Sequence, residues 1–214
     1  MTQLWNSYRH KSSQIGGGIP VWVEIPKDTV TGAYLQNTLR IDEVLASGSP
    51  VEHDYKNHTA KILKCFEVTE VTVSGTNSVI SIAKNAITPL LYAGMNVMVA
   101  PSTLAGTGKA VAITSVDQSD PDLYKITVVT ADIDDVGEGD FLVESDKSGA
   151  GAKLYAIPNN LTKDDTIGGD QNTVGIPRGV KYIYENMIPA MPEVIKSHIV
   201  DVAHVEFAWF PEVQ

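Results

Sequence analysis

Leu45–Val68, LASGSPVEHDYKNHTAKILKCFEV, is the stretch that decides the fold class. The small residues Ala46, Ser47, Gly48 and Ser49, followed by Pro50, make a turn that leads into the extended run Val51-Glu52-His53. Asp54 to His58 is a polar loop whose composition is hostile to helix. From Thr59 onward Ile62, Lys64, Phe66 and Val68 alternate against Leu63, Cys65, Glu67 and Thr69. Two alternating runs bounded by turn residues predict a β-hairpin.

The same pattern continues outward in both directions. The chain has 17 glycines and 11 prolines among 214 residues, and they interrupt its apolar runs about every ten positions, a spacing typical of all-β folds. Upstream, Ile19–Ile25 and, more weakly, Thr29–Leu39 read as strands, while Arg40–Leu45 fits one helical turn or a short strand equally well. Downstream, strand signals run through Val71 and Val73, resume at Val79–Ile82, and recur at Ala110–Val116, Tyr124–Thr130 and Phe141–Glu144. Gly94 inside Leu90–Ala100 predicts a bend or bulge. Near the end, Val180–Glu185 alternates, Pro192–Ile199 suits a short helix, and Val202–Trp209 reads as a core strand. The predicted fold is mainly β: a small sandwich or barrel with a second small β module inserted, and a short helix near the C-terminus. Residues 1–18 form an N-terminal arm, 19–70 and 152–214 a discontinuous β domain, and 71–151 the inserted module, with Ser148–Gly151 as the linker. The arm carries Trp5 and Tyr8 on a polar background, and reads either as a free terminus or as an anchor onto another subunit.

Charge and cysteine usage exclude several classes. Between Ala112 and Asp146 there are ten acids against one base, Lys125, a net −9 of the chain's −10. Phosphate backbones would be repelled there, so no nucleic-acid partner is expected. No run reaches the roughly 18 apolar residues that cross a bilayer, so no membrane partner is expected either. The first residues hold no signal-like apolar segment, which predicts a cytoplasmic site of synthesis. Cys65 is the single cysteine, which excludes an internal disulfide; in a strand it reads as a small buried apolar residue.

Chemistry-bearing motifs fail their tests. Gly106-Thr107-Gly108-Lys109 lacks the earlier glycine and the following hydroxyl of a phosphate loop, having Thr103 and Ala110 there, and reads as a hairpin loop. Asp132, Asp134, Asp135, Glu138 and Asp140 are oxygen-rich, but Val136 stands where a further ligand belongs and no glutamate closes the loop, leaving at most a loose calcium site. His53, Asp54 and His58 cluster at the hairpin, and His198 and His204 near the end, without the spacing of a metal centre. No Gly-x-Ser-x-Gly elbow exists. No catalytic residue, cofactor or metal is expected, and the chain does not read as an enzyme.

Three stretches resemble the small capsid-associated proteins of tailed bacteriophages, of the decoration or head-fibre type. They are Ala46–Val51 with Glu52-His53-Asp54 and Ala60–Lys64, then Leu154–Thr162, and finally Ile176–Tyr184 with Glu185–Pro189. The resemblance implies a non-enzymatic virion protein, assembled in the bacterial cytoplasm and located on the capsid surface. Its implied partner is the major capsid protein, bound as a homo-oligomer, a trimer, with Trp5 and Tyr8 as capsid or subunit contacts. The middle module matches nothing in that family. The competing reading is a tail- or surface-associated module that recognises a host glycan or receptor through exposed aromatics such as Trp22 or Tyr155; a metal-dependent enzyme is the third.

Overall fold

The computed structural model describes residues 21–24, 30–41, 43–169, 173–178 and 181–209. The protein is mainly β, with one described α-helix near its end. Trp5 and Tyr8 lie outside the described residues.

In chain order the strands are β1 (Trp22–Glu24), β2 (Val30–Leu35), β3 (Val44–Leu45), β4 (Pro50–Asp54), β5 (Thr59–Ile62), β6 (Cys65–Ser74), β7 (Asn77–Ala83), β8 (Asn96–Val99) and β9 (Gly108–Ala112). They continue with β10 (Ser115–Asp117), β11 (Leu123–Val129), β12 (Phe141–Glu144), β13 (Gly149–Ala152), β14 (Asn160–Leu161), β15 (Thr166–Ile167), β16 (Thr173–Pro177) and β17 (Lys181–Tyr184). Helix α1 (Glu193–Ala203) and β18 (Val205–Ala208) follow.

Two compact units emerge. The first comprises the described residues of Met1–Ile62, Pro158–Pro189 and Ser197–Gln214; the second comprises Leu63–Ile157 with Ala190–Lys196. The chain therefore passes from one unit to the other at Ile62–Leu63, earlier than residue 70. The reason is local: β6 runs unbroken across position 70 as one ten-residue strand. The return falls at Ile157–Pro158, not at Ser148–Gly151. Those residues are no linker, because Gly149–Ala152 pairs antiparallel with β9, and Gly149 (φ 89°) and Gly151 (φ 68°) absorb the irregular register.

The second unit is an eight-stranded antiparallel sheet in the order β10-β11-β7-β6-β12-β8-β9-β13. Three of its steps, β10-β11, β7-β6 and β8-β9, are hairpins between consecutive strands, and the other four join strands further apart in the chain. β6 and β7 turn at Gly75-Thr76, and β8 and β9 turn through Pro101–Thr107. Strands distant in that order share one core: Val97 and Val111 from β8 and β9 pack in the same cluster as Ile126 and Val128 from β11, with Phe66, Ile80 and Leu142. The sheet thus curls over its own apolar face like a barrel. The bend predicted inside Leu90–Ala100 is a turn at Ala93-Gly94, where Gly94 takes φ 88°.

The first unit is built from distant pieces. Its five-stranded sheet has the order β14-β4-β5-β2-β16, with β2 and β5 parallel and the other pairs antiparallel. A three-stranded sheet β1-β17-β18 and the two-residue pair β3-β15 complete it. Residues 44–45, undecided between helix and strand from sequence, are the strand β3. The core is Ala33, Leu45, Val51, Ala60, Ile62, Val174 and Ile176.

Near the end the helix is longer and the strand shorter than the alternation predicts. Helix α1 continues to Ala203 instead of stopping at Ile199, and β18 keeps only Val205–Ala208, parallel to β17. A buried side chain from β17 explains this. Lys181 Nζ donates to the Ala203 carbonyl at 2.6 Å, satisfying an orphan acceptor at the helix end, and His204 then leaves the helix with φ 52°. Burial lowers the Lys181 pKa to about 8. No helix among the described residues is long and apolar enough to cross a membrane.

Candidate functional site

The predicted hairpin is present: β4 pairs antiparallel with β5, from Val51 opposite Ile62 to Asp54 opposite Thr59. Asp54 makes the turn. Its Oδ1 accepts the Lys56 and Asn57 N–H groups at 2.9 and 3.1 Å, and its Oδ2 accepts Asn57 Nδ2 at 2.6 Å. These bonds, above all those from Asn57, hold the exposed Asp54 carboxyl below its ordinary pKa. His58 closes the turn with φ 54°, and its carbonyl accepts the Tyr34 N–H at 2.7 Å.

The turn that precedes the hairpin is buried from Leu45 to Val51 and bonded on all sides. The Gly48 N–H donates to the Thr162 carbonyl at 2.8 Å, and the Thr162 N–H donates to the Ser49 carbonyl at 2.9 Å. The Ser47 N–H donates to Asp165 Oδ1 at 2.8 Å, and Ser47 Oγ donates to the Lys163 carbonyl at 2.5 Å. Trp22 Nε1 reaches the same carbonyl at 2.9 Å. Gly48 itself has φ 80°, and a Cβ there would overlap Ile188 Cγ2 and crowd Ile183 Cδ1. Only glycine satisfies both conditions.

On the outer side of β4 the segment Asn159–Leu161 completes the sheet, with Asn160 opposite Val51 and Leu161 opposite Pro50. Asn159 clamps His53 through both halves of its amide: Oδ1 accepts the His53 N–H at 2.9 Å and Nδ2 donates to the His53 carbonyl at 3.0 Å. Asn160 Nδ2 donates to the Pro177 carbonyl at 3.1 Å, which ties in the end of β16. His53 is buried, and its ring lies 4.1 Å from that of Tyr55, tilted by 52°. The Arg178 guanidinium lies 5.5 Å from the Tyr55 ring centre. Burial, then the charges of Arg178 and His58, lower the His53 pKa, partly offset by Asp54.

Other sequence candidates are placed as follows. Cys65 is buried in β6, and burial together with the nearby Glu144 carboxylate raises its thiol pKa. A thiol in that state is a poor nucleophile. In the acidic segment, Asp134 Oδ2 accepts the Lys109 N–H at 2.9 Å and Asp140 Oδ2 accepts the Gly137 N–H at 2.7 Å, so these carboxylates shape loops. Among the described residues no three His, Cys, Asp or Glu side chains are grouped to hold a metal ion. Gly106–Lys109 lies at the end of the β8–β9 loop and runs into β9. His198 sits in α1 and His204 just past it, apart from His53 and His58 in the sequence of elements.

Trp22 and Tyr155 do not stand out as exposed aromatics. Trp22 is half-buried and its indole N–H is spent on Ser47 and Lys163; Tyr155 is half-buried, and its burial raises its hydroxyl pKa. Tyr34 and Trp209, each 65% exposed, are the more open rings. Buried Lys64, with Nζ 5.3 Å over the Tyr92 ring, and buried Lys181 went unnoticed in the sequence. The one available signal was a lysine at an inward alternating position, as Lys64 is beside Ile62 and Phe66.

Comparison with family models, with curated proteins and with solved structures returns no match.

Proposed function

We propose that this chain is a non-enzymatic structural protein of a tailed-phage virion, which binds the outer capsid lattice as a homo-oligomer, a trimer, and decorates or stabilises it. One observation carries the reading. Of the three stretches that resemble the decoration and head-fibre type, the first lies about a hundred residues before the other two, yet Ala46–Asp54, Asn159–Thr162 and, from the third, Pro177, Ile183 and Ile188 meet around Gly48 and β4 in the first unit. A resemblance scattered by chance along the chain has no reason to converge on one hydrogen-bonded nucleus.

The rest of the chemistry agrees with a binding role. The cysteine is buried, Asp134 and Asp140 are spent on loop geometry, and Asp54 between the two histidines is spent on its own turn. On this reading the major capsid protein is the partner, and several weak contacts per oligomer add up through effective concentration. Trp5 and Tyr8 are proposed as capsid or subunit contacts.

The test is quantitative mass spectrometry of purified particles from a strain that encodes this chain. A copy number equal to the coat protein's, or a simple fraction of it, is expected. Absence from intact particles overturns the proposal, and a handful of copies moves the protein to the tail, where glycan or receptor recognition becomes the better reading.

A further inference from the structure

His53 is 3% exposed, and neither ring nitrogen has a hydrogen-bond partner. A buried imidazole with an unmet donor and an unmet acceptor is costly, and neighbours that could relieve it are otherwise engaged. Asn159 spends both ends of its amide on the His53 backbone. Asn160 Nδ2 points to the Pro177 carbonyl and, at 3.4 Å, to the Tyr55 hydroxyl. The Asp54 carboxylate accepts three bonds from Lys56 and Asn57. From β5, the residue opposite is Ala60, and the cross-strand pair Glu52 and Lys61 alternates to the other face of the hairpin.

We propose that the Tyr55–His58 turn is an acid-released latch, with the His53 imidazole beneath Tyr55 as its trigger. In the neutral ring the desolvation of two polar atoms is tolerable. A proton converts the ring to a cation with two N–H donors, and the exposed Tyr55 ring packs against it at 4.1 Å. Two further groups act against that cation: the Arg178 guanidinium across Tyr55, and the His58 ring, both of which disfavour charge on His53. Asp54 supplies the one opposing charge from the turn itself. Protonation therefore swings Tyr55 outward, and the backbone at His58, held at positive φ, is released from a sparsely populated conformation. The segment loosened with it is Asn159–Asn160, whose side chains grip His53 and Tyr55, at the edge of the five-stranded sheet. The lowered His53 pKa places the event below 6.5.

The experiment is amide hydrogen exchange on the full chain between pH 7.5 and 4.5, paired with NMR titration of the histidine rings. In the wild type, protection factors at His53, Lys56 and Asn57 are expected to fall at least tenfold with one midpoint, matching the titration of the His53 ring. His53→Phe, which keeps an aromatic ring and removes the proton site, is expected to retain protection across the range. Arg178→Gln is expected to move the midpoint upward. A His53 ring that titrates at its ordinary value with protection unchanged overturns the latch, and so does an equal loss of protection in His53→Phe. Should His53→Phe fail to fold, the wild-type ring titration and the Arg178→Gln midpoint still decide the matter.

Discussion

Each unit is stitched internally at a different range of sequence separation. In the second, three hairpins of consecutive strands, β6 with β7, β8 with β9 and β10 with β11, are joined by pairings of shorter range than the longest ones in the first, such as Phe141 opposite Glu67. In the first, β4 pairs with a strand more than a hundred residues away, β2 pairs with β16, and the Ala46–Ser49 turn is bonded to Thr162–Asp165. Closing such long loops costs entropy before any contact forms, so each contact at the closure point carries more weight. The comparison teaches where the molecule is vulnerable: along hairpins in one unit, and at a single buried turn in the other.

Gly48→Ala is the sharpest way to break it. The substitution meets a positive φ and an overlap with Ile188 together, so a loss of about 2–4 kcal/mol is expected. Denaturant unfolding followed by hydrogen exchange should place the damage in the first unit, at β4, β14 and their neighbours. Equal loss of protection in the β6–β7 hairpin would show that the two units do not respond separately. Gly75→Ala, which has positive φ (63°) and open space around it, is the matched control in the second unit, and about 1 kcal/mol is expected there.

Lys181 provides the next test, at the helix end. With a pKa of about 8 when folded and an ordinary value of 10.5 when unfolded, the unfolded chain binds more protons between those values. Stability therefore rises with pH across that window, by up to about 3 kcal/mol, and the full cost is present below pH 8. Lys181→Met is expected to abolish that slope. The difference between the wild-type and variant stability curves is the quantity to measure, because buried Tyr124 and Cys65, with raised values, contribute slopes of the opposite sign. A parallel pair of curves would mean that the lysine is charged and solvated in the folded protein.

The smallest effect belongs to the acidic loops. Asp134→Ala removes one acceptor from the exposed Lys109 N–H, and about 0.5–1 kcal/mol is expected, read as a small shift of the urea midpoint. A larger loss would mean that the loop carries more of the second unit's stability than its hairpins do.

How much was legible divides along the same line. The hairpin at Val51–Ile62, the bend at Gly94, and the breaks at Gly75 and in the β8–β9 loop were all readable, because each is written within ten or twenty residues as alternation and turn chemistry. The helix end was misread, since Val202–Trp209 alternates acceptably as a strand and nothing near Ala203 announces Lys181 as the group that caps it. Ser148–Gly151 was misread as a linker, because glycines that open a chain and glycines that absorb an irregular strand register have the same composition.

Local pattern therefore determined the mainly β class, most hairpins, and the absence of recognisable catalytic motifs. It also marked Ala46–Pro50 as a turn leading into the hairpin. Only the tertiary structure decided that this turn is buried against Thr162 and Ile188, that Trp22 spends its indole N–H inward, and that His53 lies beneath Tyr55 and Arg178. The physical reason is range. Alternation and turn preference act between residues adjacent in the chain, whereas burial, closure and charge proximity depend on partners brought in from a hundred residues away.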